Sequence, residues 1–320
     1  MSWQPSASLS ALRLRARLLA QVRRFFAERG VLEVETPVLA AAPVTDPHLA
    51  SLATELHGPG SPGGRALYLQ TSPEYAMKRL LAAGSGPIFQ VSRVFRDDEV
   101  GRHHNPEFTL LEWYRPGFDY HALMDEVDGL LSALLGTASA DRLTYAEAFL
   151  RHAGVDPHRA DGATLQAAAG ELGEGCGLGT DEREGWLALL LSLKVQPQLG
   201  RGRPTFLHDF PASQAALARV RPGDPPVAER FEVFIDGVEL ANGYHELTDA
   251  AEQSRRFQAD LATRAAMGLP AVPLDHRLLE ALAAGMPPCA GVALGFDRLA
   301  MVAAGADHID QVLAFPVDRA

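Results

Sequence analysis

The stretch FQVSRVFRDDEVGRHHNPEFTLLEWYR, residues 89–115, constrains this chain more tightly than any other. Two apolar runs, Ile88–Arg96 and Phe108–Arg115, flank a loop rich in charge, Gly, Asn and Pro. Both runs are dense in β-branched and aromatic residues, which predicts strand–loop–strand. Side chains alternate along a strand, so Phe108, Leu110, Glu112 and Tyr114 share one face, and Arg96 closes the first strand. A carboxylate and a guanidinium have no place on a buried sheet face unless something polar lies there. The competing reading is an exposed hairpin with an internal Arg–Glu pair.

At 320 residues the chain has room for one large domain or two modest ones, and its 47% apolar content supports a sizeable core. A formal charge of −11 disfavours non-specific nucleic-acid binding, which needs a basic surface. Cys176 and Cys289 are too few and too far apart for a disulfide framework or a zinc site. With no apolar run of membrane-spanning length and no leader pattern, the expectation is a soluble, cytoplasmic protein.

Leu14, Leu18, Val22, Phe25 and Phe26 fall at helical spacing within Leu12–Arg29, with Gly30 as the stop. Arg13, Arg17, Arg23 and Arg24 line the opposite face, either as a solvated surface or as a docking patch for an acidic partner. Val31–Leu39 is extended but interrupted by Pro37, which places it at a sheet edge or across an interface. HGPGSPGGR, residues 57–65, reads as a loop before a strand at Ala66–Gln70. Ser72 and Pro73 then start a helix that ends near Gly84. Glu74 falls in its first turn, where a carboxylate suits the helix dipole. Further helices are expected over Tyr120–Leu135, Ala250–Met267 and Leu278–Ala284. GEGCGLG, residues 173–179, mimics a dinucleotide fingerprint, but no strand precedes it and it reads as a loop.

RFEVFIDGVELANGYHELTD, residues 230–249, is the second informative stretch, with Asp236-Gly237 as a two-residue hairpin turn. Regular closure pairs Phe234 with Glu239 and Glu232 with Ala241. Glu232 and Glu239 then lie on one face as diagonal neighbours, about 7–8 Å apart. Two like charges there call for a cation, and carboxylate oxygens plus phosphate suit Mg²⁺; two solvated glutamates are the alternative. Asn242 and Glu246 point the other way unless Asn242-Gly243 bends the chain. In Cys289–Gly305, Gly291 and Gly295 let a strand run close to something flat, and Asp297-Arg298 opens a helix from which the arginine can reach an anion.

Together these stretches resemble the three signature motifs of the class II aminoacyl-tRNA synthetases, in detail the lysyl type. Val31–Leu39 with Pro37 is similar to the first, dimer-forming motif, FRDDEVGRHHNPEFTLLEWY to the second and GVALGFDR to the third. The resemblance runs from about Leu12 to the C-terminus. It implies an α+β class II synthetase catalytic fold, a mainly antiparallel sheet flanked by helices, with residues 1–320 as one catalytic domain. Lysyl-tRNA synthetases carry an anticodon-binding barrel before the first motif; with that motif about 30 residues in, the expectation here is a catalytic domain without one. SWQPSAS, TSPEYAMKRLL, FPASQAALA and FPVDRA are instead similar to the truncated paralogues that modify translation elongation factor P, the (R)-β-lysine ligases. Ser72 stands where lysyl-tRNA synthetases usually have Ala, and Ala293 where they have Gly. A methyl at Ala293 trims the pocket, favouring a β-amino isomer by about 1–3 kcal/mol.

The resemblance implies roles residue by residue. Arg96 binds the α-phosphate and the substrate carboxylate, and Arg298 the γ-phosphate. Asn105 and Phe108 line the adenine site, with Leu240 and Gly295 along the nucleotide. Glu232 and Glu239 hold Mg²⁺, which makes Glu239 a nucleotide-site residue as well. Ser72, Pro73, Glu74, Glu112, Tyr114, Asn242, Glu246 and Ala293 surround the diamino acid. The second motif usually reads Arg-x-Glu; here Arg96-Asp97-Asp98 leaves Asp98, or Glu99 after a shift, to meet adenine. The implied reaction is ATP-dependent formation of an aminoacyl adenylate and transfer to a lysine of elongation factor P by a homodimeric enzyme. An adenylate-forming enzyme with another acceptor and a non-catalytic binding paralogue stay open as alternatives.

Overall fold

The computed structural model describes residues 3–320, Pro62 by its backbone alone. The chain divides into two compact units: residues up to Gly117 with 247–289 and 293–320, and residues 118–246 with 290–292.

The first unit opens on α1 (Leu9–Ala27), capped by the Ser8 hydroxyl. Leu18, Val22, Phe25 and Phe26 are buried, and Arg13, Arg17, Arg23 and Arg24 are exposed, as the helical spacing predicts. Short strands β1 (Leu32–Glu33) and β2 (Leu39–Ala40) flank Pro37, followed by β3 (Ala53–Gly58) and β4 (Ser61–Leu69). The expected loop at 57–65 is therefore largely a hairpin: β3 and β4 pair antiparallel up to Gly58↔Ser61. Both strands of that ribbon are rich in glycine and polar residues, and every β3 residue is exposed, so hydrophobic alternation gives no signal there. Next come α2 (Glu74–Ala82), β5 (Ile88–Phe95) and β6 (Glu107–Pro116). β5 and β6 form the expected antiparallel pair, with Gln90 opposite Glu112 and Ile88 opposite Tyr114. β1 adds to β5 in parallel. Phe26 of α1 stacks on Phe89, with ring centroids 4.6 Å apart, and meets Trp113 edge-on. One face of β5–β6 is thereby sealed by aromatics, and the other carries Gln90, Glu112 and Tyr114.

The second unit runs through α3 (Tyr120–Leu135), β7 (Asp141–Thr144), α4 (Tyr145–His152), α5 (Gly162–Ala169) and α6 (Arg183–Leu190). It continues with β8 (Thr205–Pro211), β9 (Val220–Arg221), β10 (Val227–Ile235) and β11 (Val238–His245). Asp119 caps α3 and left-handed Gly136 ends it, matching the predicted span. Tyr145, Phe149, Trp186, Leu187, Phe210 and Phe234 build this unit's core. Gly173–Gly179 lies in turns after a short 3₁₀ segment, with no preceding strand. β10 pairs antiparallel with β8, β9 and β11, while β7 and β8 are parallel.

The chain returns to the first unit with α7 (Ala250–Ala266), capped by Asp249, α8 (His276–Gly285) and α9 (Phe296–Ala304). β12 (Cys289–Gly295) precedes α9 and gives its central residues to the second unit. The strand pairings described are mostly antiparallel, as an α+β class requires. Among the described residues no helix is long and apolar enough to cross a membrane.

One polar tie fixes α9 within the first unit. Arg15 of α1 pairs with buried Asp297, donates to Thr109 Oγ1 at 2.7 Å and lies over the Phe296 ring. Thr109 N donates to the other Asp297 oxygen at 2.5 Å. Removing one partner of a buried pair strands the other charge, at about 3–5 kcal/mol. We predict that Arg15→Met lowers urea-unfolding stability by that amount. Arg23→Met, whose partner Glu33 is solvent-exposed, should cost under about 1 kcal/mol. Equal losses in the two variants would refute the assignment.

Candidate active site

The face of β5–β6 turned away from the aromatic core carries the first cluster. Glu112 is 2% exposed. Its Oε2 accepts from Ser72 Oγ and its Oε1 from Tyr114 OH, each at 2.7 Å. Ser72 Oγ also accepts from Glu74 N at 3.0 Å, so Ser72 rather than Glu74 caps the first turn of α2. The Glu74 carboxylate instead accepts from Lys78 Nζ at 2.6 Å, one helical turn on, and Lys78 is itself buried. Burial, reinforced by the nearby charge of Glu74, pushes the Glu112 carboxyl up to about 7; the two hydroxyl donors and Lys78 act in the opposite direction. Gln90, opposite Glu112 in the ladder, is buried and its Oε1 has no hydrogen-bond partner among the described residues. A pocket floor of buried acceptors is what a ligand ammonium needs.

Arg96 lies just past the end of β5, its backbone N bonded to Pro106 O. Its guanidinium carbon sits 5.1 Å from the Phe108 ring centroid, and Nη1 is 3.4 Å from Glu99 Oε1. Of the carboxylates weighed for the second motif, Glu99 is thus the one against Arg96. Asp97 and Asp98 are exposed, with Asp98 in the left-handed region at φ 61°. Phe108 and Glu112 lie four residues apart on one strand, about 13 Å at the usual rise. Asn105 is buried, and its amide donates to Glu107 O and accepts from Val317 N. It pins the C-terminal segment beside the loop.

Arg298, in the first turn of α9, donates to His103 O at 3.3 Å and reaches His104 Nε2 at 2.6 Å. A guanidinium only donates, so His104 Nε2 is the acceptor in this contact. Burial and the flanking arginines hold His103 below its ordinary range. Both His-bearing positions belong to the loop between β5 and β6, and Asp297 ties α9 to β6 through Thr109. The first unit thus gathers Ser72, Glu74, Arg96, Phe108, Glu112, Tyr114 and Arg298 around one hairpin. Gly295 ends β12 directly before α9, with Ala293 two residues earlier.

A family model described as tRNA synthetases class II (D, K and N) matches residues 1–319. The chain belongs to this family. An elongation factor P–(R)-beta-lysine ligase of Salmonella typhi is 56% identical over 320 residues, covering 100% of this chain and 98% of that protein. A protein of the same name from Vibrio cholerae serotype O1 is 56% identical over 319 residues, 99% of this chain and 98% of the relative. Like these relatives, this class II synthetase chain is a ligase.

The other residues that the class II resemblance singles out lie in the second unit. The Asp236-Gly237 turn forms with both residues at positive φ, as a two-residue hairpin requires. Its register departs from the regular closure: Phe234 pairs with Glu239, but Glu232 pairs with Asn242, not Ala241. Leu240 is the extra residue of a bulge, and past it the faces of β11 exchange, so Asn242 joins Glu232 on one side. The bend expected at Asn242-Gly243 is therefore earlier. Gly243 serves close packing instead, since a Cβ there would collide with Phe231. Glu232 Oε1 accepts from Arg230 Nη2 at 2.5 Å, and Arg230 Nε reaches Asn242 Oδ1 at 3.2 Å. Burial alone would lower the Arg230 pKa, but Glu232, Tyr244 and Glu239 together outweigh it and the net direction is up. Asn242 Nδ2 donates to Tyr244 OH at 3.0 Å. Glu239 is half-buried, and Glu246 is buried, bridging by its backbone to Ala218. Glu232 and Glu239 offer hard oxygen donors on one side of the hairpin. Among the described residues no group of three or more His, Cys, Asp or Glu gathers around a metal position, so they fit Mg²⁺ only with phosphate and water completing the shell.

A cavity of about 300 Å³ in the first unit is lined by Thr71–Pro73, residues 39–44 and residues 274–277, without Glu112, Arg96 or Arg298. Lys78 and Arg230 are the residues that sequence reasoning missed. The spacing of Lys78 four residues after Glu74, and of Arg230 two before Glu232 on one strand face, carried the signal.

The raised Glu112 pKa has a signed consequence. The native carboxyl holds its proton up to about pH 7 and the unfolded one only to about 4.5. Its contribution is therefore fully present below pH 4.5 and is lost as pH rises through 7. The Glu112→Gln variant should lack this fall, on the order of 3 kcal/mol, when urea unfolding is compared with wild type between pH 5 and 8. Parallel stability curves would show that Glu112 is ionised throughout.

Proposed function

We propose that this chain activates (R)-β-lysine or lysine with ATP and transfers the aminoacyl group to a lysine side chain of elongation factor P. The buried acceptor cluster around Glu112 carries this reading, because a carboxylate held by two hydroxyls on a sheet face suits an ammonium ligand. The names and full-length match of the relatives supply the acceptor.

In the first step a substrate carboxylate oxygen attacks the α-phosphorus in line, and the bond to the β,γ-diphosphate breaks. The products are an aminoacyl adenylate and pyrophosphate. Arg96 neutralises the α-phosphate and orients the carboxylate; Arg298 meets the γ-phosphate; Phe108, Asn105, Asp97, Asp98 and Gly295, all of the first unit, flank the nucleotide. Glu232 and Glu239 would hold Mg²⁺, which supplies charge neutralisation to the phosphates when bound. In the first unit Ser72, Pro73, Glu74, Glu112, Tyr114 and Ala293 surround the diamino acid. In the second step the neutral amine of the acceptor lysine attacks the adenylate carbonyl, AMP leaves, and an amide forms with loss of the amine proton. No enzyme nucleophile is needed. The exposed apolar side chains Leu32, Val38 and Leu39 beside Pro37 suit a homodimer contact.

Wild-type protein should catalyse ATP–pyrophosphate exchange with these diamino acids, and Arg298→Ala should lower it at least a hundredfold. Labelled amino acid should pass to elongation factor P and not to tRNA. Near-normal exchange in the variant would remove Arg298 from the chemistry, and transfer to tRNA would replace the proposed acceptor.

A further inference from the structure

We propose that Lys78 is a positioning residue for substrate recognition: its buried ammonium orients Glu74 and keeps Glu112 able to receive a substrate ammonium. This deepens the diamino-acid reading and rests on it. Lys78 is 2% exposed and its Nζ lies 2.6 Å from Glu74 Oε1, so the two charges meet away from solvent. Such a pair is retained at a desolvation cost, which makes a purely stabilising role unconvincing.

The charged and titratable groups around Glu112 are Glu74 and Lys78 from α2 and Tyr114 from its own strand. Glu74 raises the proton affinity of Glu112 and Lys78 lowers it. Without the lysine, two carboxylates face one pocket with nothing to offset their repulsion, and one of them takes a proton. A protonated Glu112 offers a substrate ammonium no net charge. Two acids alone would thus make a poorer amine site than two acids with a resident cation. The Glu74 rotamer depends on the same contact, because Ser72 satisfies the backbone and leaves the Glu74 carboxylate to Lys78.

The variants are Lys78→Met and Lys78→Arg, measured in pyrophosphate exchange from pH 6 to 9 and by ¹³C NMR titration of labelled glutamate. Lys78→Met should raise KM for the diamino acid at least fivefold at pH 7, with kcat within about threefold of wild type. Relative to wild type at each pH, that defect should shrink to under threefold by pH 9. Its Glu112 carboxyl resonance should titrate at least one pH unit higher. Lys78→Arg, keeping the charge, should restore KM at pH 7 to within threefold. A loss independent of pH, or an unmoved Glu112 titration, would overturn the proposal. If Lys78→Met does not fold, an arginine variant with an unchanged Glu112 titration supports the charge role, and one with a raised titration overturns it. Absence of exchange in the wild type would sink the functional reading alone, since the NMR titration tests Lys78 without turnover.

Discussion

A carboxylate buried on a sheet face is the constraint around which the first unit is arranged. Glu112 has lost its water, and Ser72 and Tyr114 donate to its two oxygens. Such a group costs free energy unless charge or hydrogen bonds offset the loss, and each neighbour bears on that balance. Ser72 sits where a strand gives way to a helix, Tyr114 two residues along the same strand, and Lys78 one turn into α2. Shifting the register of β5 and β6 by one residue would turn Glu112 into the aromatic packing of Phe26, Phe89 and Trp113. The aromatic face therefore protects the polar one by making that slip costly.

Arg96 and Arg298 depend on a second, purely structural arrangement. Arg298 stands in the first turn of α9, so its direction follows the helix. The helix is held by Asp297 through Arg15 and the Thr109 backbone. Adjacent residues on a helix point about 100° apart, so one can be buried as an anchor while the next faces a ligand. Asp297-Arg298 uses that angle: the acid fixes the helix to β6, and the base reaches the β5–β6 loop. Arg96 is held by Phe108 and Glu99 from the same hairpin and loop. The hairpin thus carries the acidic cluster, one arginine and the anchor of the other.

Much of this was legible in the sequence because it follows from short-range patterns. The α3 boundaries, the Asp249 cap of α7 and the Asp236-Gly237 turn come from capping and turn chemistry that acts within four residues. The β5–β6 register follows from alternation of apolar side chains. What escaped were features without a local signature. Residues 57–65 form strand because the ribbon pairs through backbone alone, with no buried side chain to mark it. The bulge at Leu240 came as a register change because a buried leucine fits either face of a strand, and its consequence is to bring Asn242 opposite Glu232. The tie of the Asn105 amide to the peptide groups of Glu107 and Val317 is another such feature. The partner at Val317 is distant in sequence, and no pattern within the loop announces it.

For the proposed diamino acid, electrostatics around Glu112 would favour an amine but say little about where on the carbon chain the amine sits. At the effective dielectric of a partly wet site, moving an ammonium from about 4 to about 5 Å from a carboxylate changes the attraction by under about 1 kcal/mol. An α-amino and a β-amino isomer differ by a displacement of about that size. Glu74, Lys78 and Glu112 therefore favour both isomers over a neutral side chain while separating them weakly. Discrimination must come from shape, and a single methyl such as that of Ala293 contributes about 1–3 kcal/mol. The two effects are comparable and small, so for the proposed substrates the physics supports a graded preference between isomers rather than exclusion of either.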